Sequence, residues 1–172
     1  MNIFVLDKDP IQAAIWHCDH HVVKMPTEVA QMLNTNSILL GGSSYKREYE
    51  PYTHYKISYP NHPITKWARK SLANFEWLAL YGLALCEEYT KRYNKDIKSR
   101  LAIEWVVKYG EKPKGKSLTN FYIGVKPQYI KNSVVDSYRF CYCFDKASFA
   151  KWEKGTDAPP WFRKFEKPIE FS

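Results

Sequence analysis

Apolar residues recur at three- and four-residue steps along most of this chain, a period that commits it to helices packed on one another. One helical stripe opens with a capping residue and a proline at Asp9-Pro10, and another restarts at Asn61-His62-Pro63 with Pro63 at the first turn. Ile11, Ala14, Ile15, Cys18 and Val22 mark a first helix over about 10–21. Met25, Val29, Met32, Leu33 and Leu40 carry a second stripe. Pro26 lies between the two, where it either kinks one long helix or starts another, because its ring meets the carbonyl of Val22. After Pro63, a face running from Ile64 and Trp67 to Tyr89 and Tyr93 predicts a long helix, or a closely stacked pair, ending near Asn94. A further helix is expected over 97–109 with Leu101 and Trp105 inward, stopped by Gly110. A last one is expected over about 128–152, where Ile130, Val134, Tyr138, Cys141 and Phe149 suggest deep burial.

The connecting segments are unlike the helices. Residues 2–6 suit a short strand or extended segment. Residues 41–62 form an irregular loop holding Tyr45, Tyr49, Tyr52, Tyr55 and Tyr59 among Lys, Arg and Pro, and a loop that long is usually functional. Another loop covers 111–126, and the tail 155–172 includes Ala158-Pro-Pro-Trp-Phe162, an extended lid with an aromatic pair. The expectation is a mainly α protein: one domain over 1–172, a helical bundle with a short N-terminal strand or extended segment and long loops.

Composition narrows the function. The 172 residues, 45% hydrophobic, suffice for one real core. Net charge is +8 and aromatics reach 16%, a pairing that suits a polyanion: cations meet phosphates, and rings stack on bases. No apolar run approaches the roughly 18 residues of a membrane span. The opening residues lack a basic stretch of the signal-peptide kind. Cys18, Cys86, Cys141 and Cys143 are scattered and lack zinc spacing, so reduced thiols are expected. A cytoplasmic protein without a cofactor is the reading.

The densest polar constellation is His17-Cys-Asp-His-His21-Val-Val-Lys-Met-Pro-Thr-Glu28. On a continuous helix His17, His21, Lys24 and Glu28 would share one face, setting an acid, a base and a cation in a narrow strip. His17, His21 and Glu28 are also an alternative metal-ligand set, helped by Asp19 or His62, although the H-E-x-x-H arrangement is absent. Arg139, on the last helix, calls for either a phosphate or an acidic partner such as Asp7, Asp9 or Asp19.

The run His21-Val-Val-Lys-Met-Pro-Thr-Glu28 resembles the helix that carries the catalytic glutamate in the phage pyrimidine-dimer DNA glycosylase/AP-lyase family, the endonuclease V type. Asn61-His62-Pro-Ile-Thr65 is similar to that family's glycine-histidine step before its central helix, and Ala158-Pro-Pro-Trp-Phe162 to its aromatic tail. The chain looks closer still to a group of phage and bacterial proteins with a Cys-Asp-Lys-His-Val-Val-Lys-Met signature, with His20 here in place of the lysine. The resemblance implies that Glu28 is the essential carboxylate, with His21 and His62 shaping the site around a sugar-phosphate. It also implies a flipped nucleotide in DNA, which needs stacking and cationic clamps. Lys24, Asn61, Lys66, Arg69, Lys70, Tyr138, Arg139 and Trp161 are the residues expected to bind the substrate.

One departure bears on mechanism. The family's nucleophile is the α-amine of a threonine exposed when the initiator methionine is removed. Here residue 2 is Asn2, too large for efficient removal, so Met1 is expected to stay and the amine to lie one residue further out. A glycosylase that uses water in place of the amine, or a different reaction on a modified base or nucleotide, is then the expectation, with the carboxylate kept and DNA or a nucleotide as substrate. Specificity for pyrimidine dimers is not implied by these residues. A DNA-binding protein of the same fold without catalysis, or a metal-dependent hydrolase using the histidines, are the alternatives.

Overall fold

A computed structural model describes residues 1–41 and 55–163. Within them the chain forms six α-helices: α1 (Pro10–Ile15), α2 (Asp19–Gly41), α3 (Pro63–Ala68), α4 (Leu72–Tyr93), α5 (Ser99–Tyr109) and α6 (Val134–Phe144), with a 3₁₀ turn at Pro127–Tyr129 before α6. The protein is mainly α, as the periodicity implies. Residues 1–5 are neither helix nor strand and bend at Phe4 (φ 40°), and no strand forms among the described residues.

The two long helices α2 and α4 are the centre of the bundle; α1 lies on α4, and α5 packs against both. Their approach is close enough to demand glycine: a Cβ on Gly82 of α4 would stand 2.5 Å from Val29 Cγ1 of α2. Val22, Met25, Val29 and Leu33 from α2 and Phe75, Leu78 and Leu85 from α4 fill the space between, and Ile3, Val5 and Leu6 of the N-terminus enter the same core. Terminal residues ordinarily fray unless something ties them down. Here four consecutive residues, Ile3 to Leu6, are buried.

Several boundaries differ from expectation, each for a local reason. The first helix stops at Ile15, not His21, because Arg92 of α4 reaches over and donates to the carbonyls of Ile15 (2.9 Å) and His17 (2.8 Å). Those carbonyls are among the unpaired acceptors that every helix end leaves. The same guanidinium pairs with Asp19, the first residue of α2, at 3.0 Å and with Glu88 at 2.8 Å. Pro26 therefore neither starts a helix nor separates two; it sits inside the 23-residue α2.

The pair α3 and α4 is parted at Ser71, whose hydroxyl accepts from Asn74 N–H at 3.1 Å and caps α4. Asn94 in the left-handed region (φ 51°) closes α4 where expected. Leu101 faces solvent, and Ile103 joins Trp105 inside instead.

The last helix is much shorter than 128–152. Ser133 caps it by accepting from Asp136 N–H (3.0 Å), and Ser137 Oγ both donates to Ser133 O (2.7 Å) and accepts from Lys131 N–H (2.9 Å), holding the preceding chain in a turn. Ile130 is 52% exposed and Phe149 is at the surface, so neither belongs to the buried face made by Tyr138, Cys141 and Tyr142. All four cysteines are free thiols and buried. Of the Tyr-rich loop, Tyr45, Tyr49 and Tyr52 lie outside the described residues, as do residues 164–172 of the tail. Trp161 and Phe162 do pack on the body, Trp161 edge-on to Trp16 and Tyr142, and Phe162 against Trp152.

Candidate active site

Glu28 stands near the middle of α2, half-buried, and its partner is the start of the chain. Its Oε2 accepts from Asn2 N–H at 2.9 Å and lies 3.8 Å from the Met1 α-amine. Lys24, one turn earlier, reaches Oε1 at 3.1 Å from a largely solvated position, 59% exposed. Two amines thus converge on one carboxylate. The displacement of the amine by one residue does not take it away from Glu28. The side chain of Met1 is seated rather than loose: it is 3% exposed, and its Sδ accepts from Thr65 Oγ1 at 3.4 Å.

Thr65 belongs to α3, and the same short helix brings in His62. That residue is its N-cap, with Nδ1 accepting from Ile64 N–H at 3.3 Å, so the bond fixes the tautomer with hydrogen on Nε2. Burial lowers the pKa of His62, the Met1 amine lowers it further, and Glu28 acts the other way. The imidazole is therefore a neutral donor within the field of both groups. Its segment is moored to the far half of α2. Thr35 Oγ1 accepts from Ser58 N–H at 2.9 Å, Asn36 Nδ2 donates to Thr65 O at 3.0 Å, and Asn34 donates to the carbonyl of Tyr55. These buried polar residues hold the His62 segment on the helix that carries Glu28.

His21 is placed differently from expectation. It is buried in the core, its ring stacked on Phe4 with centroids 4.5 Å apart and its Nδ1 hydrogen-bonded to the Tyr142 hydroxyl. Burial drives its pKa down to about 2 and that of His17 to about 3, so both stay neutral. His17 donates from Nδ1 to Ala13 O (2.7 Å) and accepts at Nε2 from Tyr81 (2.8 Å), which occupies both ring nitrogens. The break at residues 16–18 is what removes His17 from the Glu28 face. The set His17, His21 and Glu28 is not assembled, and among the described residues no three His, Cys, Asp or Glu side chains are grouped to hold a metal.

The expected substrate-binding residues divide. Asn61, Lys66 and Lys70 are exposed around α3, with Lys66 one turn beyond His62. Arg69 is occupied as a brace, its Nη1 donating to Pro60 O at 2.6 Å and to Asn36 Oδ1 at 3.3 Å. Tyr138 is fully buried, so it cannot meet a nucleotide; its hydroxyl instead donates to Asn2 Oδ1 at 2.9 Å. Arg139 has the acidic partner that was one of its two options, Asp7 at 3.3 Å, along with Leu6 O at 2.9 Å and the faces of Trp16 and Trp161. Arg139 and Trp161 thus make their contacts with that corner of the molecule rather than with Glu28 or His62.

Asn2 is the residue that sequence reasoning undervalued. It was a departure from a pattern, with no signal of its own. In the fold its backbone touches the carboxylate and its side chain is hydrogen-bonded at both ends.

A helix-borne carboxylate that holds an amine, with a neutral imidazole in its field, can take up that amine's proton and so free a nucleophile. The family model for pyrimidine dimer DNA glycosylase matches residues 1–101, and the chain belongs to that family. The match contains Asn2, Glu28 and His62, but not Tyr138, Arg139 or Trp161. No curated protein and no solved structure matches the chain.

Proposed function

We propose that this protein is a DNA glycosylase that cleaves the bond between base and deoxyribose at C1′, with Glu28 as the essential carboxylate and the α-amine of Met1 as the nucleophile. The observation that carries the reading is the amine 3.8 Å from Glu28, on a methionine whose side chain is built into the fold. Family membership supplies the DNA glycosylase class. The position of the amine favours covalent attack over the water route that Asn2 by itself would suggest.

In this scheme Glu28 takes the proton that the ammonium sheds, and the amine lone pair attacks C1′. The electron pair of the C1′–N bond leaves with the base, which gains a proton. Ring opening then gives an imine, from which loss of a 2′ proton expels the 3′ phosphate oxygen and nicks the strand. His62, neutral with its Nε2–H free of the capping bond, donates to the sugar-phosphate. Lys66 and Lys70 hold the backbone through charge.

The test is reductive trapping. Purified protein is incubated with borohydride and duplexes carrying an abasic site, a pyrimidine dimer, or an oxidised or alkylated base. A covalent adduct whose tryptic mapping falls on Met1 is expected, and Glu28→Gln should abolish it while duplex binding persists. An adduct on Lys24 would move the nucleophile to the other amine at the same carboxylate. Base release without any adduct would replace it with water. Absence of both on every duplex would leave a DNA-binding protein.

A further inference from the structure

We infer that Asn2, Gly124 and Tyr138 form a clamp whose task is to hold the Met1 amine against Glu28, making Asn2 and Tyr138 positioning residues for the proposed reaction. The inference rests on the amine reading and adds to it the means by which the nucleophile is fixed.

Each polar atom of the Asn2 side chain is used. Nδ2 donates to Gly124 O at 2.9 Å. Oδ1 accepts from Ile3 N–H at 2.8 Å, from Phe4 N–H at 3.4 Å and from the Tyr138 hydroxyl at 2.9 Å. The Tyr138 oxygen in turn accepts from Gly124 N–H at 2.9 Å, which closes a ring of three residues drawn from the N-terminus, the loop before the 3₁₀ turn, and α6. Gly124 is small for a reason: a Cβ there would meet Tyr138 Oη at 3.1 Å and Asn2 Oδ1 at 3.3 Å.

The Asn2 carbonyl-type oxygen also tightens the turn that follows. Phe4 takes the left-handed region, φ 40°, unfavourable for a residue with a Cβ, and its ring is held in place on His21. A bent backbone and a two-ended side-chain anchor leave the peptide linking Asn2 to Met1 little freedom. The Asn2 N–H then points at Glu28 Oε2, and the amine follows one residue on.

A purely structural role would not require this arrangement. Burying an ammonium beside a carboxylate tends to break even at best, and the same residues could be apolar. Orienting a nucleophile is where such fixing gains rate, since a misplacement of about 1 Å can cost on the order of a hundredfold. Gly124 and Tyr138 both lie outside the matched residues 1–101, so this part of the site is supplied by the remainder of the chain.

The test compares Asn2→Ala and Tyr138→Phe with the parent in single-turnover borohydride trapping on abasic duplex, alongside duplex affinity and melting temperature. Tyr138→Phe keeps the buried ring and removes only the hydroxyl, so it answers the question even if Asn2→Ala folds poorly. The expected result is a trapping rate at saturating duplex lowered about tenfold or more for Tyr138→Phe, with Kd unchanged, since loss of the hydroxyl's bonds to Asn2 and Gly124 acts on the step and not on binding. Trapping at the parental rate in Tyr138→Phe, with Glu28→Gln dead, would overturn the clamp and leave the amine reading intact. Base release by the parent with no adduct on Met1 would overturn the amine reading itself.

Discussion

At the residue scale, the contrast between the two contacts of Glu28 is informative. Lys24 is mostly in water, where an ion pair contributes little, whereas Met1 is seated. Lys24→Gln is therefore expected to keep trapping within a few-fold of the parent, and a fall as deep as that of Glu28→Gln would show that the lysine is the working amine. Extending the chain by two residues before Met1 should remove trapping altogether, because the amine becomes an amide; persistence of the Met1 adduct site in the extended protein would be incompatible with attack by that nitrogen. Glu28 and His62, on which the proposed site is built, could be singled out in the sequence because the runs that hold them resemble the family's. Asn2 was not, since its value comes from Gly124 and Tyr138, 122 and 136 residues away.

At the scale of elements, α2 is the part on which the site depends, and two neighbours set its position. Arg92, with its side chain fully buried, ties Asp19 and Glu88 together and fixes where α2 begins. Arg92→Met should destabilise the protein by about 3–5 kcal/mol, read as a lower urea midpoint, because Asp19 loses its cation and Glu88 keeps only the solvated Lys91; a loss below about 1 kcal/mol would mean that water replaces it. Gly82→Ala forces α4 away from Val29, next to Glu28, and should cost about 1–3 kcal/mol while also slowing trapping. Unchanged kinetics in a destabilised Gly82→Ala would show that α2 moves without disturbing Glu28. Helix existence was readable from apolar spacing, and so were the stops at Asn94 and Gly110. The break at residues 16–18 and the short α6 were not, because they are imposed by Arg92 from another helix and by paired serine hydroxyls, neither of which alters a hydrophobic period.

At the scale of the molecule, the core holds two neutral histidines. His17 and His21 titrate near 6.5 when unfolded but near about 3 and about 2 in the fold, so between those limits the unfolded chain takes up protons that the native one refuses. Stability from this source is complete above pH 6.5 and is lost as the pH falls below it. Urea midpoints should accordingly drop from pH 7 to pH 5; a level profile would mean that the rings gain protons without unfolding. The charge of +8 belongs to this scale too: duplex affinity should fall steeply with added salt, and a flat response would remove the phosphate contacts assigned to Lys66 and Lys70. No helix among the described residues is long and apolar enough to cross a membrane.

The clamp carries a consequence for how the molecule comes into being. Met1 is made well before the tyrosine that secures its neighbour, which comes 136 residues after Asn2. In the proposed scheme the amine is unheld during that interval, open to acylating or trimming enzymes. Any molecule capped then would reach the same native shape, bind its duplex, and be chemically silent.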